Sequence, residues 1–177
     1  GNLTRVDISD ILAWCKIEFD APYHSSNPLY LGLGKLYLNN EEVTELTIPS
    51  EINEIKQLTF CGCSSITSVY IPDNVTKIGS FAFESCANLI NLTIPDTVTW
   101  IGSSAFFKCS SLTGVRINEN ITWIGDSAFS GCTGELIINN KTYVETDHVY
   151  TSSDCSSKTW LKDSKFTHLT ICDNIEK

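Results

Sequence analysis

The feature of this sequence that most constrains its fold is a regular internal repeat. The stretch IPDNVTKIGSFAFESCANLINL, at 71–92, is followed at 94–115 by IPDTVTWIGSSAFFKCSSLTGV, which matches it at most apolar positions. Four such units begin at Leu46, Val69, Leu92 and Val115, and we call the constant step between them the period. One unit of this length is too short to bury a core of its own, so neighbouring units must stack and share one. The sequence therefore predicts a solenoid in which residues one period apart become neighbours in space.

Each position within the unit has a predicted role. Apolar residues at alternating positions, such as Leu46 and Ile48, predict a short strand that the following proline ends. A second extended stretch follows, in which Val75 and Ile78 point inward. The next slot holds glycine in three units, which predicts a backbone with positive φ. The A-F-x-x-C segment after it predicts one helical turn that brings Phe and Cys under the sheet. These slots hold Gly79, Gly102 and Gly125; Phe60, Phe83, Phe106 and Phe129; and Cys63, Cys86, Cys109 and Cys132.

The segment before the repeats predicts a cap that closes one end of the core. We assign residues 1–45 to this capping segment and residues 46–177 to the repeat array. The stretch RVDISDILAWCKIEFD predicts a strand, a short helix capped by Ser9, and another strand. The stretch LYLNNEEVTELTI predicts a hairpin that leads into the first full unit.

The C-terminal third is less regular, and about five units are expected, the last of them incomplete. The fourth unit lacks two residues after Cys132, so the next strand is expected early, at Leu136–Ile138. The strand after it is expected late, well over one period further along the chain, at Leu169–Ile171. The long fifth unit predicts an insertion at 139–158, with a hairpin turn at its start.

Charge and composition exclude two classes of partner. The formal net charge is −9 and the sequence pI is about 4.7, whereas phosphate binding needs clustered Lys and Arg. The 12 basic residues are scattered, so neither nucleic acid nor an anionic membrane surface is expected. No apolar run is long enough for a transmembrane helix, so membrane insertion is not expected. The sequence contains no methionine, which suggests that a leader or tag preceding residue 1 has been removed.

The units resemble BspA-like leucine-rich repeats, in particular the stretch IPDNVTKIGSFAFESCANLINLTIP. The N-terminal DISDILAWC and NPLYLGLGKLYLNNEEVTELTIP are similar to the segments that precede such arrays. The resemblance implies an α/β solenoid, a right-handed array of short parallel strands with few short helices and an N-terminal αβ cap. It also implies a bacterial cell-surface or secreted protein that binds or adheres without catalysis.

Eight cysteines in an exported chain raise the question of disulfide bonds. Four of them recur at an interior slot, where cysteine packs as a small apolar side chain, and parallel Cβ vectors disfavour bonding between stacked neighbours. We therefore predict a column of free thiols. A bridge between Cys155 and Cys172 is left open as an alternative. The CGC at 61–63 lacks a second paired motif and a nearby histidine, so no metal site is expected.

No catalytic constellation is evident. The three histidines, His24, His148 and His168, lie far apart and none accompanies a nucleophile motif. We predict no enzyme activity and no cofactor, with the histidines as solvated surface residues.

Two outward surfaces are candidate binding sites. The first is the outward residue of each strand, which gives the row Thr47, Tyr70, Thr93 and Arg116. The second is a pair of tryptophans at the variable slot of V-T-x-I, Trp100 and Trp123, which are expected to lie one rung apart as a shallow aromatic platform. Each surface also has a plainer interpretation without binding. The strand row would then be a solvated sheet face, and the two tryptophans would shield each other.

The expected function is binding or adhesion at the bacterial surface through the repeats. The resemblance favours a protein partner, such as a host extracellular matrix protein or another cell surface. One alternative is a carbohydrate-binding module that uses the Trp pair, and another is a structural spacer within a larger surface protein.

Overall fold

A computed structural model describes residues 3–19, 26–30 and 34–133, and the backbone of 134–138 and 165–171. At its N-terminus, β1 (Arg5–Ile8) leads into the helix α1 (Ile11–Cys15). The strand β2 (Lys35–Leu38) pairs in parallel with β1 and antiparallel with β3 (Glu41–Glu42). Asn39 and Asn40 connect β2 and β3 with positive φ at both turn residues, as a tight hairpin requires. The predicted hairpin is confirmed.

Two parallel sheets run along the repeats. The larger has six strands in the order β13-β12-β10-β8-β6-β4 and the smaller has four in the order β11-β9-β7-β5. The larger sheet comprises β4 (Glu45–Thr47), β6 (Ser68–Tyr70), β8 (Asn91–Leu92), β10 (Gly114–Ile117), β12 (Thr133–Ile138) and β13 (Lys165–Ile171). The smaller comprises β5 (Glu54–Ile55), β7 (Lys77–Ile78), β9 (Trp100–Ile101) and β11 (Trp123–Ile124).

The strand register follows the sequence period. Leu46 pairs with Val69, and Val69 with Leu92, each one full period away. The sequence spacing between paired residues is shorter at the next step, where Val115 pairs with Leu136. It lengthens again where Leu136 pairs with Leu169. The early strand after Cys132 and the late strand at Leu169–Ile171 are therefore confirmed.

The core is one continuous apolar column shared by all described units. The phenylalanine slot is fully buried, and its rings stack with centroids 5.4 Å apart for Phe60 and Phe83 and 5.3 Å apart for Phe106 and Phe129. The apolar residues of both sheets, such as Ile78 of β7, are buried around this column. Stacking has placed residues one period apart in contact, as the sequence predicts.

The A-F-x-x-C segment is not a helical turn, and that prediction is wrong. Its backbone N–H groups alternate between two kinds of partner. Phe83 donates to the carbonyl of Ala105 in the next coil at 2.8 Å, whereas Glu84 donates to Phe81 in its own coil at 3.2 Å. Phe81 and Ser85, four residues apart, have positive φ. The segment therefore gives half of its donors to the neighbouring coil, which an α-helix would keep for itself.

The glycine slot does not have positive φ, so that prediction is also wrong. A Cβ atom on Gly79 would lie 2.6 Å from the backbone nitrogen of Gln57, and at Gly102 and Gly125 it would meet the backbone of Ser80 and Ser103. The reason for glycine is therefore the close approach of successive coils, not a left-handed backbone. The first unit has Lys56 at this slot, and its ammonium turns away to bind the carboxylate of Glu18 at 2.9 Å.

The N-terminal segment differs from expectation at two points. Asp10, and not Ser9, caps α1, since its carboxylate accepts from the backbone N–H of Leu12 at 2.8 Å. Residues 17–19 form no strand, because they run along the first unit instead, where the carbonyl of Phe19 accepts from Gln57.

Two buried polar groups fasten the N-terminal segment to the first unit. The indole nitrogen of Trp14 donates to the carbonyl of Thr59 at 2.9 Å. The amide of Asn27, which is 1% exposed, donates to the carbonyls of Leu58 and Thr59.

The fold class predicted from the sequence is confirmed: stacked coils form a solenoid of short parallel strands with little helix. Among the described residues, α1 is the one α-helix. The division at residue 45 stays a prediction. The insertion at 139–158 lies outside the described residues.

Candidate functional site

The outward row of the six-stranded sheet is exposed as predicted. Thr47, Tyr70, Thr93 and Arg116 all face solvent, because they alternate with buried residues such as Leu46 and Val69. Tyr70 is the most prominent of them, with 61% of its surface exposed. Its backbone pairs directly with that of Thr47 in β4.

A shallow groove of about 300 Å³ lies at the foot of Tyr70. Its walls come from two neighbouring coils, with Ile71 and Asp73 on one and Thr93 and Pro95 on the other. The groove therefore combines an aromatic ring, apolar atoms and hydrogen-bonding side chains, which is the mixture found at protein-binding surfaces.

Trp100 and Trp123 lie one rung apart, as predicted. Their backbones pair in parallel between β9 and β11, and their rings stack face to face with centroids 5.3 Å apart. The residues are 40% and 45% exposed. Each ring therefore covers one face of the other, which matches the plainer interpretation of a mutually shielded pair on that side, and each ring keeps a second face.

The opposite face of Trp100 is turned toward Lys77. The ammonium of Lys77 lies 5.7 Å from the centre of the Trp100 ring, above its face. Glu54, Lys77 and Trp100 occupy the same slot in successive coils.

An open groove of about 380 Å³ lies beside this column. It runs from Trp100 to the N-terminal segment at Glu18, whose ion pair with Lys56 lowers the pKa of the Glu18 carboxyl. Sequence reasoning missed this groove, because its far wall belongs to the loop that follows α1.

The predicted surfaces form two separate sites. The row through Tyr70 lies on the six-stranded sheet, whereas the Trp pair lies on the four-stranded sheet. The six candidate residues therefore do not converge on one ligand position. This separation was predictable from the sequence, because the slot of Tyr70 and the slot of Trp100 lie about a third of a period apart.

The interior cysteines are free thiols, as predicted. Cys86, Cys109 and Cys132 each donate to the carbonyl of a phenylalanine 26 residues earlier, at 3.1 Å. Cys15, Cys61 and Cys63 are also free and buried. Burial disfavours the thiolate, which raises the pKa of Cys15 to about 12 and the pKa values of Cys86 and Cys109 well above the ordinary range. Cys86, Cys109 and Cys132 therefore pack as small apolar side chains, each with its donor satisfied. The alternative pair, Cys155 and Cys172, lies outside the described residues.

One buried contact was not foreseen. The thiol of Cys61 lies 3.6 Å from a carboxylate oxygen of Glu84, which is 9% exposed. Burial, together with the charge of Glu84, raises the pKa of Cys61. The only signal in the sequence is that the two residues lie one period apart.

Metal-ligating side chains do not cluster in the described part of the chain. No group of three or more His, Cys, Asp and Glu side chains is placed to hold a metal ion there. His24 and His148 lie outside the described residues, and the backbone of His168 belongs to β13. None of the helices within the described ranges has the length and apolar character to cross a membrane.

Comparisons with known proteins agree with this architecture. The family model described as the BspA type leucine rich repeat region matches residues 33–157 in six copies. No curated protein matches. A crystal structure of a leucine-rich repeat protein from Bacteroides ovatus ATCC 8483 is similar, with a TM-score of 0.53 and 29% sequence identity. The similarity covers 76% of this chain and 32% of that one, so the chain spans about a third of the length of that protein.

Proposed function

This chain belongs to the BspA-type leucine-rich repeat family, and we propose that it binds a protein partner at the bacterial cell surface or after secretion. The binding is non-enzymatic and adhesive, with a host extracellular matrix protein or another cell surface as the partner. Stacked repeats suit such a role, because they extend one surface across several units.

The observation that carries the proposal is the outward row of the six-stranded sheet. Tyr70 projects from the middle of this row beside a groove, with Thr47 and Thr93 on either side and Arg116 one coil further along. Tyr and Arg are enriched among residues that dominate binding energy, since each combines a large contact area with a polar end. A partner that lies along this face contacts several coils at once.

The alternative functions have less support. A carbohydrate-binding module that uses Trp100 and Trp123 as its main site has less surface available, because each ring covers one face of the other. A structural spacer would need neither an exposed tyrosine nor a groove. If this chain alone binds a partner, that result counts against the spacer.

The test is surface plasmon resonance against a panel of purified matrix proteins. We expect at least one of them to bind, and the double variant Tyr70→Ala/Arg116→Ala to lower its affinity by at least about tenfold, as expected for two central contact residues. Lys108→Ala is the matched control, since it removes one exposed positive charge on a turn outside this face.

Unchanged affinity of the double variant removes the strand face from the proposal. A panel in which no protein binds removes the matrix-protein partner.

A further inference from the structure

We propose that the groove beside Trp100 is a second, independent binding site, and that its ligand is a neutral pyranose sugar of a glycan. The site lies between the four-stranded sheet and the loop after α1, and its stacking surface is the face of Trp100 that Trp123 leaves uncovered. Trp100 is the contact residue in this arrangement, and Trp123 is a positioning residue behind it.

The stacked pair prepares Trp100 for a ligand. Trp123 packs against one face with planes inclined by 22°, which holds the Trp100 ring in one orientation. The ammonium of Lys77 lies above the other face, 5.7 Å from the ring centre. A cation–π contact at this distance and exposure is weak, so the flexible Lys77 side chain moves aside at little cost. A sugar ring then stacks its C–H face on the indole.

The polar lining supplies hydrogen bonds for sugar hydroxyls. Some of the lining groups are already engaged, because Lys56 binds Glu18 and the amide nitrogen of Gln57 donates to the carbonyl of Phe19. Glu54, Ser80 and Lys77 also line the groove. Acceptors and donors therefore both lie within one short groove next to an aromatic face.

Charge and size favour a neutral sugar over an anion. The groove carries two carboxylates against two ammonium groups, and the whole chain has a net charge of −9, so no positive field attracts phosphate or sulfate. A volume of about 380 Å³ lies at the small end of the ~300–1,000 Å³ typical of small-molecule sites. It suits one or two rings of a chain that continues out through the open side.

The experiment is a glycan array of neutral and anionic oligosaccharides, followed by calorimetric titration of the neutral glycan that is retained best. We expect Trp100→Ala to lower the affinity for this glycan at least about tenfold, because it removes the stacking contact. Trp123→Ala should lower it by a smaller factor of about two to five, because it removes only the support behind Trp100. Trp123→Phe, which preserves the support, should stay close to the wild type.

Two further variants separate this site from the strand face and from loss of folding. Ser80→Phe fills the groove and leaves both indoles in place, and we expect it to abolish glycan binding. Tyr70→Ala/Arg116→Ala should bind the glycan as the wild type does, even if it loses a protein partner.

Three results overturn the proposal. They are an array that retains no neutral glycan, an affinity that Trp100→Ala leaves unchanged, and a glycan that Tyr70→Ala/Arg116→Ala loses but Ser80→Phe still binds.

Discussion

Phe83 and Phe106 lie one period apart in the sequence, and their rings stack with centroids 5.4 Å apart and planes inclined by only 3°. The sequence period therefore brings these two side chains into direct contact. Phe83 and Phe106 are each covered on both faces by another phenylalanine, so the column holds the coils together from within.

Truncation in the middle of this column should be costly. Phe83→Ala removes a fully buried ring from between two others, and we expect the free energy of unfolding to fall by about 3–5 kcal/mol. Tyr70→Ala is the control, because it removes an exposed ring and should change stability by about 0.5 kcal/mol or less. Urea unfolding followed by circular dichroism measures both. Equal losses for the two variants would contradict a shared core column.

The glycine slot should tolerate a side chain only in the first unit. Gly102→Ala forces a Cβ atom into the backbone of Ser80, and we expect a loss of about 1–3 kcal/mol. Lys56→Ala at the same slot should be far milder, since that position already accepts a side chain and loses only an ion pair at the surface. The comparison uses the same unfolding experiment, and a harmless Gly102→Ala would refute the close approach of the coils.

Asn27 should act as a fastener of the N-terminal segment. Asn27→Ala leaves buried carbonyls of the first unit and the N–H of Leu29 without this partner, and we expect a loss of about 1–3 kcal/mol. Asn88→Ala removes a comparable bond to the carbonyl of Ser64 at an exposed site, where water takes its place, so its effect should be small. An Asn27 variant as stable as the Asn88 variant would count against this role.

The buried thiols should be inert in the native state. We expect Cys86, Cys109 and Cys132 to escape alkylation at pH 8 until the protein is unfolded, since they are buried and the pKa values of Cys86 and Cys109 are raised. Mass spectrometry of the alkylated peptides distinguishes these cysteines from those outside the described residues. Labelling of the three in the folded protein would show that the column opens.

The buried thiols with raised pKa values, Cys15, Cys86 and Cys109, should make stability fall at alkaline pH. Their folded-state pKa values lie above the unfolded value of about 8.5, so the unfolded chain loses protons first as pH rises. The contribution is fully present below that value and is lost as pH rises through the folded-state pKa, about 12 for Cys15. We expect the double variant Cys86→Ala/Cys109→Ala to show a shallower decline above pH 9 than the wild type. An equal slope would assign the decline to other groups.

Much of the architecture could be predicted from the sequence because a repeat converts local pattern into tertiary contact. The buried slots such as Phe83, the outward row through Tyr70 and the adjacency of Trp100 and Trp123 all follow from the period alone. The irregular strand spacing after Cys132 was predictable for the same reason, since Leu136 continues the apolar pattern.

The two errors within the repeats share one physical cause, which is hydrogen bonding and packing between coils. Residues near Phe83 look helical in isolation, but half of their N–H groups are donated to the next coil. Gly79 looks like a left-handed turn residue, but it is required by the backbone of the coil beside it. The groove at Trp100 depends on where the loop through Glu18 lies, and no repeat pattern specifies that loop.

The backbone hydrogen bonds between successive coils also affect how the number of repeats in such a protein can change during evolution. Since Phe60, Phe83 and Phe106 donate to corresponding backbone carbonyls of the next coil, a duplication of the codons of one unit inserts a coil whose backbone bonds are already matched. Length then varies in whole steps of about 4.8 Å, the spacing of paired strands, without any need for compensating substitutions. Selection can therefore adjust the reach of the outward face separately from the residues displayed on it.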